Sequence, residues 1–585
     1  MRTYAHVFSI PVLLGSVFIA APVSAHTPPP PVSCAELATD PANGLAGNPH
    51  VKSATSKIVN ASGANVAFCQ VDILFGTNPN QNIDIRVGLP LNARDGGTGG
   101  VQGAWNGRTQ GIGGGGCAGV TLTPTNNPLA AQVNAGYVGS GTDAGHTGGN
   151  CEPGVNADGT YNLQFINDFI RNGIKEQILF SKSVAARYYS MKPAYNYWNG
   201  CSTGGRQGYL LAQELPKELD GILANAPANY CTRFQTAQMW GQIAMKDLVG
   251  TVVSSAKIDQ TNASAVAACD AADGVTDGII DDPRTCKFDA TANICGVPGA
   301  PATNCLTPQE AAAINKIWDG PRNADGNKIW FGLDRGTPQD GFGLNGTPPF
   351  ALGVTQFHWN EHNLLFDWQT VTMGGYPQVA QDGSRNIADV TDTFGNLDAY
   401  RRSGGKLLTF VGGNDQLIYP RGVINYYRIQ ASRIGHDDRP DFDRLQKFYR
   451  LFRAPGVGHC GGGVGPQPQN LFGALVDWVE NGVAPETILA TNTAGTPPVV
   501  TRSRPLCPYP ETAIYNGSGS INDAANFHCG SNLEKKQVVC ADVLVKYKHE
   551  TDGRLDFEGS GVDRDSCVRR HHDGDGDDED HDRGR

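Results

Sequence analysis

The sequence predicts an α/β fold whose core is interrupted by a large inserted domain. In residues 26–229 and again in 397–530, short apolar stretches that suit buried strands alternate with stretches of helical periodicity. Between them, in 230–396, this alternation weakens, and five cysteines and an Asp/Gly cluster appear. The 585 residues, 39% of them hydrophobic, can form a large core, and 74 glycines and 36 prolines indicate long, turn-rich connections rather than a helical bundle.

Paired strands are predicted near the beginning of the first core segment. Residues 64–75 and 81–89 alternate between apolar and polar side chains as half-buried strands do. A glycine-rich loop follows at 111–119, with four consecutive glycines at 113–116. Backbone without side chains can approach a bound group closely, so this loop is a candidate for contact with a ligand.

Ser202 lies in the turn between a predicted strand and a predicted helix. Residues 165–191 show helical spacing, 194–198 suit a buried strand, and 204–215 form a second helical stretch that stops at Pro216. The small residues on both sides of the serine let the backbone adopt a strained turn that presents its hydroxyl. This is the local context that a nucleophile elbow requires.

The second core segment supplies an acid and a base, each after a predicted strand. The apolar strand 407–411 leads to Asp415, and the strand 448–452 leads to His459, with a helix following at 470–481. A serine hydroxyl needs such a base to accept its proton, and the base needs an acid to orient it.

A pair of cysteines links this histidine to the serine. Cys201 precedes Ser202 and Cys460 follows His459, so a disulfide between them would hold the nucleophile beside its base. The order Ser202, Asp415, His459 along the chain is the order that α/β-hydrolases use. We therefore predict an α/β-hydrolase core with this catalytic triad.

More than one residue could supply the second oxyanion donor and the acid of the triad. The amide of Thr203 is predicted to form one half of the oxyanion hole, and a glycine of 113–116 the other half, with Gly115 favoured. For the acid, Asp437 and Asp438 are rivals in a charged stretch that we expect to be exposed.

A calcium site is predicted within the insertion. Asp270, Asp273 and Asp277 place three carboxylates within eight positions, separated by glycines that allow a tight wrap. Cys286 can close this loop onto Cys269. Hard oxygen ligands at short spacing suit Ca²⁺ rather than zinc, although the spacing is not that of an EF-hand. The alternative interpretation is an acidic surface turn.

Both ends of the chain are predicted to lie outside the folded core. Residues 1–25 read as a secretory signal, with Arg2, a short apolar stretch and Val-Ser-Ala before His26; an N-terminal anchor is the alternative. No later stretch approaches the roughly 18 apolar residues of a membrane span. Residues 531–585 form an extension with an Asp/His-rich end, which we expect to be disordered past Cys567.

Charge and cysteine content limit the classes of partner and the cellular compartments that we expect for this protein. The formal net charge is −11, of which the last 15 residues contribute −5, and no basic patch appears. Nucleic acid and membranes are therefore not expected as partners. Export would permit disulfides, and 15 cysteines leave at least one without a partner in the chain.

Taken together, these residues resemble the tannase and feruloyl esterase family, which also contains the mono(2-hydroxyethyl) terephthalate hydrolases. The resemblance extends from about Cys34 to Cys529. It rests on Gly-Cys-Ser-x-Gly-Gly-Arg at 200–206, Trp-Asn-Gly-Arg at 105–108, Thr-Asp-Ala-Gly-His at 142–146, the Asp/Gly cluster at 270–279, Asp415 and His459-Cys460.

The resemblance implies an inserted lid over the active site and a structural calcium ion in that lid. The implied ligands are the side chains of Asp270, Asp273 and Asp277 and the carbonyls of Val275 and Ile279. Besides Cys201–Cys460, the implied disulfides are Cys34–Cys69, Cys269–Cys286, Cys295–Cys305 and Cys507–Cys529. The pairing of the remaining cysteines stays open: Cys117, Cys151, Cys231, Cys540 and Cys567.

The function expected from residues and resemblance is that of a secreted or periplasmic serine carboxylesterase. Its substrate would be a small ester of a hydroxycinnamic, gallic or related aromatic acid, free or attached to a plant polysaccharide or tannin. A terephthalate-type hydrolase and a non-catalytic, calcium-stabilised protein that binds phenolics or glycans are the alternatives. Candidate aromatic walls are Phe350, Phe357, Trp359, Phe366 and Trp368, although aromatic residues of this kind more often belong to a core.

Overall fold

A nine-stranded mixed sheet forms the centre of the computed structural model. The expected signal at 1–25 and the acidic end of the extension lie outside the residues that the structure describes. Those are 30–123, 126–149, 151–338, 346, 350–393, 395–435, 440–530, 543–549 and 555–562. In that part of the chain, no helix combines the length and the apolar character needed to cross a membrane.

The central sheet has an antiparallel half and a parallel half. Its strands are β1 Val51–Val59, β2 Phe68–Phe75, β3 Ile83–Pro90, β4 Arg108–Ile112, β5 Val138–Thr142, β6 Tyr195–Cys201, β7 Gly221–Asn225, β8 Lys406–Gly412 and β9 Tyr449–Ala454. Their spatial order is β1-β2-β3-β5-β4-β6-β7-β8-β9. The pairs from β1 to β5 are antiparallel, and those from β5 to β9 are parallel. The carboxyl ends of β4 and β6 to β9 therefore meet at one edge.

The parallel strands are buried on both faces. In β6, Tyr197 packs into the apolar cluster on one face and Trp198 into the cluster on the other. In β8, Phe410 and Val411 divide between the same two clusters. Burial of apolar side chains on both faces of a strand is typical of parallel strands with helices on both sides.

Helices cover the sheet before and after the insertion. Before it lie α1 Cys34–Leu37, α2 Ala130–Asn134, α3 Leu163–Asn167, α4 Gly173–Tyr189 and α5 Thr203–Glu214. In the insertion lie α6 Cys231–Ala237, α7 Trp240–Val249, α8 Ser255–Cys269, α9 Pro308–Asp319, α10 Ala351–Asn360, α11 Tyr376–Asn386 and α12 Ala388–Thr391. After it lie α13 Asp398–Arg402, α14 Pro420–Ile434, α15 Phe442–Leu445 and α16 Leu471–Asn481.

The insertion is helical and packs around apolar clusters of its own. It separates β7 from β8, which are neighbouring parallel strands. One cluster contains Trp240, Phe357 and Tyr376, and another contains Leu306 and Trp318. Between β7 and β8 the described residues form no strand, which is why strand–helix alternation weakens in this part of the sequence.

Smaller sheets follow the core. β10 Gln467–Pro468, β11 Ile488–Ala494 and β12 Val499–Leu506 form one, β13 Thr512–Tyr515 and β14 Phe527–Gly530 form another, and β15 Val543–His549 pairs with β16 Leu555–Val562. The disulfide Cys507–Cys529 fastens the second of these sheets. The extension after residue 530 therefore contains one hairpin within its described residues.

The single helix expected over 165–191 is two helices joined by a π-helical turn. The turn, Asp168–Asn172, contains a buried aspartate. Its carboxylate accepts hydrogen bonds from Gln81 at 2.5 Å and from Gln164 at 2.7 Å. The wider π-helical turn makes room for this polar network. The spacing of apolar residues does not reveal such a turn, so the sequence predicted one continuous helix.

Glu480 joins α16 to the parallel sheet. Its carboxylate accepts hydrogen bonds from Arg108 at 2.6 and 2.5 Å and from the Tyr197 hydroxyl at 2.6 Å. Burial raises the pKa of Glu480, but the hydrogen bonds from Arg108 and Tyr197 outweigh it and leave that pKa below its ordinary value of 4.5. The ionised carboxylate is therefore the form that stabilises the fold.

We predict that Glu480→Gln lowers the free energy of unfolding by about 1–3 kcal/mol, because charge-assisted hydrogen bonds contribute in this range. The pKa is depressed, so the difference from wild type should be fully present above pH 4.5 and disappear as pH falls through the folded-state pKa. Urea unfolding at several pH values measures it. The exposed Glu486→Gln variant is the control, and an equal effect there would contradict the prediction.

Candidate active site

Ser202 occupies a strained turn at the carboxyl end of β6. Its φ of 63° and ψ of −122° lie in a region that residues with a side chain rarely adopt. The backbone is held from both sides, because Ser202 N donates to Asn225 O at 3.0 Å and Ser202 O accepts from Ala228 N at 3.1 Å. These bonds fix the turn and place the serine at the start of α5.

Two glycines make this turn possible. A Cβ on Gly200 would lie 2.5 Å from the backbone of Gly204, and a Cβ on Gly113 would lie 2.4 Å from the Gly204 Cα. The end of β6, the start of α5 and the glycine loop after β4 therefore approach one another at backbone distance. Side chains at these positions would push the three segments apart.

His459 and Asp415 form a hydrogen-bonded pair at the same edge of the sheet. His459 Nδ1 lies 2.9 Å from Asp415 Oδ2. The aspartate is fully buried, and its other oxygen accepts the amides of Leu417 at 2.9 Å and Ile418 at 2.8 Å. The imidazole is oriented by its Nδ1, which leaves Nε2 for another partner.

A disulfide connects the serine turn to the histidine loop. Cys201 and Cys460 are bonded, with their Cα atoms 6.0 Å apart across 259 residues of sequence. Ser202 and His459 are the chain neighbours of these two cysteines, so the bond limits how far they can separate. Among the described residues there is no hydrogen bond between the Ser202 hydroxyl and His459, and such bonds often form only when substrate is bound.

Among the four backbone amides of residues 113–116, two donate hydrogen bonds to described residues and two do not. Gly113 N donates to Asn199 O at 3.2 Å, and Gly114 N donates to Gln207 Oε1 at 3.0 Å. Within the described chain, the amides of Gly115 and Gly116 donate to no acceptor. A Cβ on Gly115 would meet no atom within 4 Å, so this residue faces open space.

Cys117 anchors the far end of the glycine loop. It forms a disulfide with Cys151, a pairing that the sequence left open. Its carbonyl oxygen lies 2.7 Å from His146 Nε2, in the Thr-Asp-Ala-Gly-His segment. In turn, Cys151 O accepts the indole N–H of Trp359 at 3.1 Å. The glycine loop is thereby connected to helix α10 of the insertion.

A small cavity of about 30 Å³ lies beside the serine turn and the glycine loop. Gly116 and Thr203 form part of its wall, and of the five aromatic residues singled out in the sequence, Trp359 lines it. Phe357 is instead buried in a cluster of the insertion. The other lining residues include Phe169, Arg206, Cys231, Phe234 and Leu352.

Cys231 is the one free cysteine among the described residues. Burial raises the pKa of its thiol to about 12. The thiol is therefore protonated at neutral pH and is a poor nucleophile. It forms part of the cavity wall without competing with Ser202 for an electrophile.

The candidate calcium loop contains the expected carboxylates, but some of them already interact with backbone amides and with an arginine. Asp270 accepts the amides of Asp277, Gly278 and Ile279 at 2.8–3.3 Å. Asp277 lies 2.6 Å from Arg504 Nη2. The described residues contain no converging group of three or more His, Cys, Asp or Glu side chains.

Backbone carbonyls complete the donor set of this loop. Described residues donate no hydrogen bond to the carbonyl oxygens of Val275 and Ile279, although both residues are buried. The disulfide Cys269–Cys286 closes the loop, as expected. Carboxylates together with unused carbonyls fit a hard cation such as Ca²⁺.

The remaining expected disulfides are present, whereas some expected positions lie outside the described residues. Cys34–Cys69 and Cys295–Cys305 are bonded. Asp437, Asp438, Cys540 and Cys567 lie outside the described residues. Gln207, which accepts the hydrogen bond from Gly114 N, has no signal in periodicity or spacing, because its role depends on a segment distant in sequence.

Comparisons with known proteins agree with this geometry. The family model for tannase and feruloyl esterase matches residues 101–341 and 350–530. A probable feruloyl esterase of Arthroderma benhamiae is 34% identical over 495 residues, which cover 80% of this chain and 86% of that protein. A mono(2-hydroxyethyl) terephthalate hydrolase of Piscinibacter sakaiensis is 29% identical over 496 residues, covering 73% and 80%.

A solved structure shares the fold. An esterase from Aspergillus oryzae superposes with a TM-score of 0.71 at 24% identity, covering 85% of this chain and 100% of that one. The α/β-hydrolase fold that the sequence predicts is therefore confirmed.

We predict that Gly200→Ala lowers kcat by about 100-fold or more, because the new Cβ would displace the start of α5 and with it Ser202, and small displacements are costly. Ester hydrolysis measured alongside Tm tests this. The matched control is Gly374→Ala, where a Cβ would approach its nearest neighbour no closer than 3.9 Å. Full activity of a folded Gly200→Ala variant would contradict the prediction.

Proposed function

The chain belongs to the tannase and feruloyl esterase family and is an ester hydrolase, and we propose that it hydrolyses esters of aromatic acids through a serine acyl-enzyme. The observation that carries the proposal is the His459–Asp415 pair, tied by the Cys201–Cys460 bond to a serine in a strained turn. A nucleophile, a base and the acid that orients the base make up the set of groups that acyl transfer needs.

In the first half of the proposed reaction, Ser202 Oγ attacks the ester carbonyl carbon. Its proton passes to His459 Nε2, and Asp415 stabilises the resulting imidazolium through Nδ1–H. When the tetrahedral intermediate collapses, the carbon–oxygen bond to the alcohol breaks. His459 gives its proton to the departing alcohol, which leaves an acyl-serine and a neutral imidazole.

The second half repeats these proton transfers with water. His459 accepts a proton from water as its oxygen attacks the acyl-serine, and then returns it to Ser202 Oγ. The free acid leaves, and the enzyme is restored with no net change in protons at the triad. Asp415 is buried and hydrogen-bonded by two amides, so it remains fixed through both halves.

We assign the oxyanion hole to the amides of Thr203 and Gly115. Thr203 is the first residue of α5, where helical amides lack an intrahelical partner. The amide of Gly115 has no acceptor among the described residues and faces open space. Removal of one such donor commonly costs about 100- to 1,000-fold in kcat.

The aromatic part of the proposed substrate is supported by the cavity next to these amides. Phe169, Phe234 and Trp359 line it beside Thr203 and Gly116. Apolar and aromatic walls with a few polar groups are typical of sites for small aromatic ligands. A relative named feruloyl esterase agrees with an aromatic acyl group.

Terephthalate-type esters are the second candidate substrate. This candidate is favoured by the 29% identity with the mono(2-hydroxyethyl) terephthalate hydrolase. Both candidates use the same triad and differ in the acyl group. A hydroxycinnamic ester has a propenoyl linker between its phenolic ring and the ester carbonyl, whereas a terephthalate ester has a carboxylate-bearing ring bonded directly to that carbonyl. A non-catalytic binding protein is disfavoured, because binding alone does not require a strained serine beside a His–Asp pair.

Export is the proposed location. The described residues contain six disulfides, and disulfides persist in oxidising compartments. A secreted or periplasmic enzyme would encounter aromatic esters of plant polysaccharides or tannins, which remain the proposed natural substrates.

We also propose a structural Ca²⁺ in the loop closed by Cys269–Cys286. Its ligands would be the side chains of Asp270, Asp273 and Asp277 and the carbonyls of Val275 and Ile279. The ion would join the end of α8 to β12, the strand that carries Arg502 and Arg504, which already contact Asp277. It would stabilise the insertion without taking part in the reaction.

Ser202→Ala should abolish hydrolysis of methyl ferulate and methyl gallate, with kcat reduced by about 10⁴-fold or more, because no other group replaces the nucleophile. Initial rates and labelling by a fluorophosphonate measure this. Ser254→Ala, an exposed serine at a helix start, is the control and should retain both activity and labelling. Turnover or labelling retained in Ser202→Ala would overturn the assignment of the nucleophile.

Removal of calcium should lower Tm by at least about 3 °C while leaving kcat at 25 °C unchanged, because a ligand of the folded state alone stabilises it. Differential scanning calorimetry in EDTA, in Ca²⁺ and in Mg²⁺ measures this shift. In Asp273→Asn, Tm should no longer respond to Ca²⁺. If wild type melts at the same temperature with EDTA and with Ca²⁺, the proposed metal site is wrong.

A further inference from the structure

Asn414 connects three segments of the chain that meet next to the triad. It lies in the turn after β8, directly before the acid of the triad, and its backbone N–H donates to Val457 O at 2.9 Å. Its side-chain Oδ1 accepts from Gly456 N at 2.9 Å, and its Nδ2 donates to Gly336 O at 2.5 Å. The first two partners belong to the histidine loop, residues 455–466 between β9 and β10, and the third belongs to the insertion.

The chemistry of the two side-chain partners determines the orientation of this amide. Gly456 N can only donate and Gly336 O can only accept, so the amide oxygen faces the histidine loop and the amide nitrogen faces the insertion. In the reverse orientation both hydrogen bonds would be lost. A carboxylate has no donor for the insertion, and a serine hydroxyl is a single atom that cannot reach in both directions. An asparagine is therefore suited to this position, which needs an acceptor and a donor on one short side chain.

The histidine loop is restrained in different ways on the two sides of His459. After the histidine, Cys460 is held by its disulfide. Before it lie Gly456, which has a left-handed φ of 71°, and Gly458. Glycine allows the backbone more conformations than other residues do. On this side, the backbone is held by burial of the intervening valine and by the two hydrogen bonds with Asn414.

The partner of Asn414 in the insertion is itself held in place. Gly336 has a φ of 90°, and its N–H donates to the side-chain oxygen of Asn262 in α8 at 3.0 Å. A Cβ on Gly336 would lie 3.4 Å from Asn414 Nδ2, so the two residues are in close contact. Gly336 is thus fixed to α8 through its N–H and to the triad turn through its carbonyl. The position of the insertion and the position of the histidine loop are therefore coupled through one side chain.

We propose that Asn414 is a positioning residue, which bonds the insertion and the histidine loop with one amide and so keeps His459 within proton-transfer reach of Ser202. This inference rests on the proposed function, in which His459 is the base. Asn414 acts through the backbone of the loop and takes no part in the proton transfers themselves. Without it, the imidazole would shift relative to both Asp415 and Ser202, and small displacements of a catalytic group are costly in rate.

Asn414→Ala tests this role by separating kcat from KM. For methyl ferulate, kcat should fall about 10- to 100-fold because the base is displaced. KM should change less than about 3-fold, because Asn414 is not among the residues that line the cavity. The second-order rate of fluorophosphonate labelling should fall in parallel with kcat, since labelling also requires a base for the serine proton but does not depend on recognition of the ester.

Asn262→Ala is the matched control, and Asn414→Ser is the second variant. Asn262→Ala removes a hydrogen bond to the same glycine of the insertion but none to the histidine loop. It should lose some stability, measured as Tm, as Asn414→Ala does, and yet keep kcat within about 2-fold of wild type. Asn414→Ser removes both side-chain bonds while keeping a small polar residue that suits a turn, and its kcat should fall as in Asn414→Ala.

The possible outcomes separate this role from a general structural one. Wild-type kcat in a folded Asn414→Ala or Asn414→Ser variant would overturn the proposal, and so would a change confined to KM. An equal loss of kcat in Asn262→Ala would also overturn it, because loosening of the insertion would then explain both results. If wild type hydrolyses neither methyl ferulate nor methyl gallate, the proposed function itself is wrong.

Discussion

The bond between Cys201 and Cys460 is the constraint on which the site depends. It joins the ends of β6 and β9, two strands separated in the sheet by β7 and β8. Neither strand alone fixes the loop that follows it, and the histidine loop is rich in glycines with left-handed backbone. A covalent link at the neighbours of Ser202 and His459 removes this freedom, which hydrogen bonds between mobile loops would restrict less.

Burial of polar groups around this link organises the chemistry. Asp415 is buried with its charge satisfied by two amides and an imidazole. Arg206 is buried with its charge largely unsatisfied. The first arrangement stabilises a group that must stay in place during a reaction, and the second leaves donors of a charged side chain unsatisfied, which is costly in the interior. The low dielectric of the interior strengthens the hydrogen bonds of Asp415, and it raises the cost of the unsatisfied donors of Arg206.

Much of the core was predictable because short-range pattern determined it. The strands at 406–412 and 449–454 and the helices at 203–214 and 471–481 lie within about two residues of the predicted bounds. β4 and β5 were missed because Gly, Ser and Thr fill the interior of the sheet where helices pack closely against it. The Cys117–Cys151 pairing was open because loop conformation, and not spacing, brings two half-cystines together.

The sequence by itself determined the chemical groups: a serine between small residues, a histidine and an aspartate after strands, and cysteines beside two of them. Chain order and local pattern are sufficient for this, because each signal lies within a few residues. Only the tertiary structure decided which loop amides remain free, which aromatic side chain faces the cavity, and that Arg206 has no counter-ion. These properties depend on what other segments leave unoccupied, and contacts between segments distant in sequence have no local pattern.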